Sequence, residues 1–156
     1  MKINYVNLVE QYKLERKNLL KIIDKTFCSG SYVGGNQISK FESSIAKICN
    51  SKYAVAMNSG TDALTIALHL LGVRRGDEVI TPPNSFIAST AVIIHLGAKP
   101  VFVDVKEDQN IDENLIEKKI TKKTKAIMPV HLTGRMCNMK KILYISKKYK
   151  IPIVED

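Results

Sequence analysis

Three short clusters in this chain combine residue types that handle anions, flat rings and protons. The first, Asn58-Ser59-Gly60-Thr61-Asp62, stands just ahead of an apolar helical pattern. Glycine lets the backbone come close to a ligand, serine and threonine offer hydroxyl donors, and a helix start presents free N–H groups at the positive end of its dipole. That set suits a phosphate, while Ser, Thr and Asp before a helix also serve as an ordinary N-cap. The segment is neither a Walker loop, which needs Gly-Lys-Ser/Thr, nor a three-glycine dinucleotide fingerprint. The second cluster, Asn84-Ser85-Phe86, puts an aromatic ring at a strand end, where it either stacks on a flat heterocycle or joins the core. The third is Glu155-Asp156 behind Ile151-Pro152-Ile153-Val154. A carboxylate closing an apolar strand is costly unless a cation or a hydrogen-bond donor meets it; a protonated ring nitrogen, a metal ion and the free N–H groups of a following helix all qualify. His131, in Pro129-Val130-His131-Leu132-Thr133-Gly134, ends another strand pattern and reads as a ligand-facing or a structural histidine. His69 and His95 fall on apolar helix faces and read as packing residues.

These clusters need elements to position them, and the intervening sequence alternates helical and strand periodicities. A helix is predicted from about Leu8 to Phe27, ending at Ser29-Gly30. A second follows Gly34-Gly35-Asn36, with Ile38, Phe41, Ile45 and Ile48 on one face, which should be buried. Tyr53 to Met57 reads as a strand, followed by a third helix carrying Leu64, Ala67, Leu68 and Leu71 and stopped by Gly72. The strand-loop-helix pattern then recurs. Strands are predicted at Glu78–Thr81, Pro100–Val103, Lys125–Val130 and Ile151–Val154. Helices are predicted at Phe86–Leu96 (closed by Gly97), after Asp112 with Leu115, Ile116 and Ile120, and at Met139–Tyr149. Five strands alternating with helices imply an α/β fold, three layers α/β/α around a mostly parallel sheet. In such sheets ligands bind beyond the carboxyl ends of the strands, where the three clusters and His131 fall.

Composition narrows the class. A length of 156 residues with 45% apolar content suits one buried core. No apolar run reaches a membrane-spanning length, the longest being Ala63 to Val73, interrupted by His69. The N-terminus lacks the apolar stretch of a secretory signal, so a cytoplasmic location is expected. Cys28, Cys49 and Cys137 are odd in number and lack metal-type spacing, which favours free thiols; no metal site is expected. The net charge of +9 comes largely from lysines, all but four of the 24 basic residues, set on predicted helix surfaces without interleaved aromatic rings. That arrangement argues against a nucleic-acid partner. No helix follows the last strand pattern to cover it, so the chain reads as an incomplete domain.

Taken in order, the segments Gly34-Gly35 with Phe41-Glu42, Ser59-Gly60-Thr61-Asp62-Ala63-Leu64, Gly76-Asp77-Glu78-Val79-Ile80-Thr81-Pro82, Gly97-Ala98-Lys99-Pro100-Val101-Phe102-Val103-Asp104, Thr124-Lys125-Ala126-Ile127, Pro129-Val130-His131-Leu132 with Gly134, and Val154-Glu155-Asp156 resemble the DegT/DnrJ/StrS family of sugar aminotransferases, which depend on pyridoxal 5′-phosphate. The resemblance covers nearly the whole chain. It implies a fold-type-I, aspartate-aminotransferase-like large domain in a cytoplasmic homodimer, here as residues 1–30, an N-terminal helical segment, and 31–156, an incomplete cofactor domain without the small C-terminal domain. It further implies that Ser59, Gly60, Thr61 and Asp62 help to hold the cofactor phosphate, that Phe86 lies against the ring, and that Asp156 pairs with the ring nitrogen as a catalytic group. His131 is a second catalytic candidate. The family's Schiff-base lysine is expected beyond residue 156, leaving this chain alone inactive. The activity implied is transfer of an amino group, from an amino-acid donor such as glutamate, to a nucleotide-linked keto-sugar. A sugar dehydratase of the same family and a catalytically inert fragment or interaction protein are the other readings.

Overall fold

The computed structural model describes residues 5–156. The chain divides into two compact units, Met1–Ala56 and Met57–Asp156.

In the first unit, helix α1 (Leu8–Ser29) starts at Asn7, whose side chain accepts from the Glu10 N–H at 3.3 Å. It ends at Gly30, which takes the left-handed conformation (φ 67°) and donates its N–H to Phe27 O. Helix α2 (Asn36–Ile48) follows the Gly34-Gly35 turn. Its apolar face, expected to be buried, is not: neither helix contains a buried residue, and Phe41 is 57% exposed. Periodicity decides which side of a helix is apolar; burial needs a second surface, and no described residue of this unit supplies one. The strand expected at Tyr53–Met57 is also absent. Tyr53 and Val55 lie exposed in irregular backbone, held by the Ala56 N–H donating to Glu42 Oε1 at 2.9 Å and by Ser51 Oγ donating to Tyr53 O at 3.0 Å.

The second unit carries α3 (Gly60–Leu70), β1 (Glu78–Thr81), α4 (Ile87–His95), β2 (Lys99–Phe102), α5 (Glu113–Ile116), β3 (Thr124–Ile127) and α6 (Met139–Tyr149). The strands form a parallel sheet in the order β2-β1-β3. Successive strand residues point to opposite faces, so the sheet builds two cores. Val79, Ala126 and Met128 pack with Leu64, Leu68, Val92 and Ile93 of α3 and α4. Ile80 and Ile127 pack on the other side with Ile116 of α5 and Ile142 and Ile145 of α6. Helices on both faces of a parallel sheet make the α/β architecture inferred from the sequence. Pro100 sits in edge strand β2, where its missing N–H leaves no gap in the ladder. The turn after α4 requires glycine: Gly97 has φ 75°, and a Cβ there would lie 3.1 Å from Arg75 Cβ.

The strand count is a correction, since three strands form among the described residues instead of five. The segment expected as the last strand contributes one bridge, Ile127 to Ile153. It still runs parallel beside the end of β3: Ile127 N–H donates to Pro152 O, Val154 N–H to Ile127 O, Asp156 N–H to Pro129 O and His131 N–H to Asp156 O, at 2.9–3.0 Å. Pro129 and Pro152 lack the N–H donors a continuous ladder needs, which accounts for regular strand stopping short on both sides. The helix expected after Asp112 is likewise one turn of α-helix plus the 3₁₀ turn Glu117–Lys119.

Candidate active site

The carboxyl ends of β1, β3 and the Ile153 segment, with the start of α3, surround a cleft of about 440 Å³. Of the residues singled out from the sequence, Gly60, Thr61, Phe86, His131 and Asp156 all line it. Ser59 and Asp62 do not. Ser59 Oγ accepts from the Asp62 N–H at 3.1 Å and lies 3.0 Å from Asp62 Oδ2, to which it donates, so these two side chains cap α3. With Asp62 N–H bound to Ser59 Oγ and Ala63 N–H to Ser59 O, the N–H groups left at the helix start belong to Gly60 and Thr61, which face the cleft as lining residues.

Phe86 precedes α4 with extended backbone (φ −64°, ψ 146°) and is 76% exposed, so its ring belongs to the cleft wall rather than the core. Asp156 has its backbone fixed on both sides by the Pro129 and His131 bonds. Its Oδ2 accepts from Ser89 Oγ at 2.5 Å, and Ser89 Oγ lies 2.7 Å from Ser85 Oγ. No hydrogen bond from a described residue reaches the second carboxylate oxygen, Oδ1.

Both ring nitrogens of His131 are engaged. Nδ1 accepts the Cys137 N–H at 3.2 Å and therefore bears no proton, which puts the ring proton on Nε2, 3.0 Å from Glu155 Oε2. The His131–Glu155 contact is thus a hydrogen bond to a carboxylate rather than an ion pair. The wall that continues from His131 is clamped by Asn110, fully buried, whose Oδ1 accepts the Leu132 N–H and whose Nδ2 donates to Arg135 O. Behind that wall, Glu113 is buried beside Lys106, Nζ to Oε2 2.8 Å, while its Oε1 accepts from Asn138 Nδ2 at 2.9 Å. Oε2 lacks an aligned hydrogen bond; the 2.8 Å ammonium contact meets its charge. Burial alone pushes the Glu113 carboxyl up, yet the Lys106 ammonium, the residue's own backbone N–H and Asn138 together outweigh it and hold the carboxyl below its ordinary value. The close Glu113 carboxylate in turn raises the Lys106 ammonium. Burial pushes the Cys137 thiol up, and its Sγ donates to Val130 O.

Sequence reasoning missed Ser89, Asn110 and Glu113. The signal for Ser89 was present in Ile87-Ala88-Ser89-Thr90-Ala91-Val92-Ile93, where a hydroxyl at an otherwise apolar position of a buried helix needs a partner. Asn110 and Glu113 carry no comparable mark, because polar residues between elements are ordinary.

Residues 13–156 match the DegT/DnrJ/EryC1/StrS aminotransferase family. The dTDP-3-amino-3,6-dideoxy-alpha-D-galactopyranose transaminase of Aneurinibacillus thermoaerophilus is 41% identical over 90% of this chain and 39% of its own length. A pleiotropic regulatory protein of Geobacillus stearothermophilus is 38% identical over 100% of the chain and 42% of its own. The chain thus spans about two fifths of the length of these curated relatives. Among solved structures, S. venezuelae DesV superimposes with a TM-score of 0.96 at 37% identity, covering 99% of this chain and 42% of that one. NtdA of Bacillus subtilis, solved with bound PMP, reaches 0.91 at 34% identity, covering 99% and 37%. By sequence and by fold, the chain belongs to the DegT/DnrJ/EryC1/StrS aminotransferase family.

Proposed function

We propose that these residues form the cofactor-holding part of a pyridoxal-5′-phosphate-dependent aminotransferase that moves an amino group, from a donor such as glutamate, onto a nucleotide-linked keto-sugar. The observation that carries the reading is the convergence of Gly60, Thr61, Phe86 and Asp156 on one cleft. The cleft brings together the groups a flat phosphorylated pyridine needs: helix-start N–H groups, an exposed aromatic ring, and a carboxylate with one oxygen engaged by protein. Amino transfer is preferred to dehydration because the relatives just described include a named transaminase.

In this reading Gly60 and Thr61 bind the phosphate through helix-start N–H groups, Phe86 lies against the ring face, and Asp156 receives the ring N–H. Ser59 and Asp62 act at one remove, by fixing the first turn of α3. His131, with both nitrogens engaged by Cys137 and Glu155, shapes the wall and orients neighbouring groups instead of exchanging protons. When bound, the cofactor supplies an electron-accepting ring that carries nitrogen between the two substrates. Asp156 would keep that ring protonated, and Phe86 would limit water at its face. No described lysine lines the cleft, so this chain alone is proposed to be inactive, its partner lysine and much of the sugar contact coming from elsewhere in a full-length, cytoplasmic homodimer.

The test is a full-length enzyme bearing these 156 residues, assayed for 2-oxoglutarate released from glutamate in proportion to aminated nucleotide-sugar. Sugar consumption without 2-oxoglutarate would mark a dehydratase. Asp156→Asn is expected to lower turnover at least about a hundredfold, as loss of a charge stabiliser of the reacting group does. Unchanged turnover in that variant would contradict the reading.

A further inference from the structure

We infer that Ser89 is a positioning residue for Asp156: its hydroxyl, itself held by Ser85, fixes one carboxylate oxygen so that the other is aimed into the cleft. This rests on the cofactor reading above. Ser89 is 1% exposed on the face of α4 that packs toward the sheet. Helical hydroxyls in this chain ordinarily return their proton to the backbone four residues earlier, as Ser43 does to Ser39 O, Ser44 to Lys40 O and Thr65 to Thr61 O. Ser89 does not. It donates to a carboxylate 67 residues away in sequence, at 2.5 Å.

The direction of the chain of bonds follows from donor arithmetic. A carboxylate only accepts, and a serine hydroxyl has one proton, so the Ser89 proton goes to Asp156 Oδ2. The 2.7 Å contact between Ser85 and Ser89 must then run from Ser85 Oγ to Ser89 Oγ. Ser85 sits in the loop between β1 and α4, and Ser89 one turn on. The relay therefore ties the acid that ends one strand segment to the loop that ends another. Asp156 is exposed, and without this bond its carboxylate would sample several rotamers at entropic cost to binding. With Oδ2 held and the backbone pinned by Pro129 and His131, Oδ1 is pre-oriented for one donor, such as a ring N–H.

The experiment compares the affinity of the full-length apoprotein for pyridoxal 5′-phosphate and for its analogue with C–H in place of the ring nitrogen, by equilibrium dialysis. The preference for the nitrogen-bearing ring isolates the Asp156 contact and is insensitive to general damage. Ser89→Ala is expected to cut it about tenfold, the usual worth of a hydrogen bond to a charged group, and Ser85→Ala about threefold, because it acts one bond further away. Ser89→Thr, which retains the hydroxyl, is expected to keep most of the preference; an equal loss in the alanine and threonine variants would overturn the role. Asp156→Asn is expected to abolish the preference. If it does while Ser89→Ala leaves the preference intact, the positioning role is wrong and the cofactor reading stands. If neither changes it, the pairing of Asp156 with the ring fails, and the role of Ser89 with it.

Discussion

The two units of this chain use apolar residues in opposite ways. Residues 57–156 bury theirs: Val79, Ile80, Ile127 and Met128 are fully enclosed between helices on both faces of the sheet. The described part of Met1–Ala56 leaves Leu14, Phe27, Phe41 and Ile48 exposed on helices as regular as any in the second unit. Helical regularity comes from local capping and periodicity, whereas a core needs two surfaces that meet. The cleft belongs to the unit with the core. Its walls are the ends of strands whose side chains are locked by packing, and that rigidity is what a site of defined geometry requires.

That contrast can be broken by experiment. The largest effect is expected from Ile80→Ala, which empties space in the enclosed core and should cost about 2–5 kcal/mol in urea unfolding. Next comes Glu113→Ala, expected to cost about 1–3 kcal/mol because Lys106 and Asn138 lose a buried acceptor. Its pH signature follows from the direction of the shift. Glu113 has a depressed carboxyl in the folded state, so its stabilisation is present above the ordinary carboxylate range and is lost as pH falls through the folded value. Lys106, raised above 10.5, stabilises below that pH and loses its contribution only as pH rises past the folded value. In Glu113→Ala the acid-side loss should shrink, measured as the slope of unfolding free energy between about pH 5 and pH 3. Ser59→Ala, which removes the cap of α3, is expected to cost about 1 kcal/mol. Phe41→Ala in the first unit closes the series at under about 0.5 kcal/mol, the range of exposed substitutions. A cost for Phe41→Ala matching that of Ile80→Ala would abolish the distinction between the units.

Much of the fold was legible before any coordinates. Capping residues marked the helix starts at Ser59 and Asp112, with Gly30 and Gly97 at two ends, because a cap acts within one turn and is written beside the element it ends. Strands were legible in type but less so in extent. Tyr53–Met57 has strand composition but pairs with no described residue, and Pro129 and Pro152 interrupt a ladder whose register depends on segments far apart in sequence. Asp156, Phe86 and Thr61 were each visible as chemistry at a strand end or helix start, and their meeting at one site was expected from the fold class and the family resemblance; the bond from Ser89 that holds Asp156 was not.

What the sequence determined by itself is therefore local: the helices, their caps, the alternation that implies a parallel sheet, and the ordered segments that identify the family. Tertiary structure alone decided that α2 keeps an open apolar face, that His131 has both nitrogens engaged, and that Ser89 holds Asp156. The physical reason is the reach of the interactions. Caps and periodicity act over three or four residues, while a hydroxyl meeting a carboxylate from 67 residues away is set by how helices pack on a sheet.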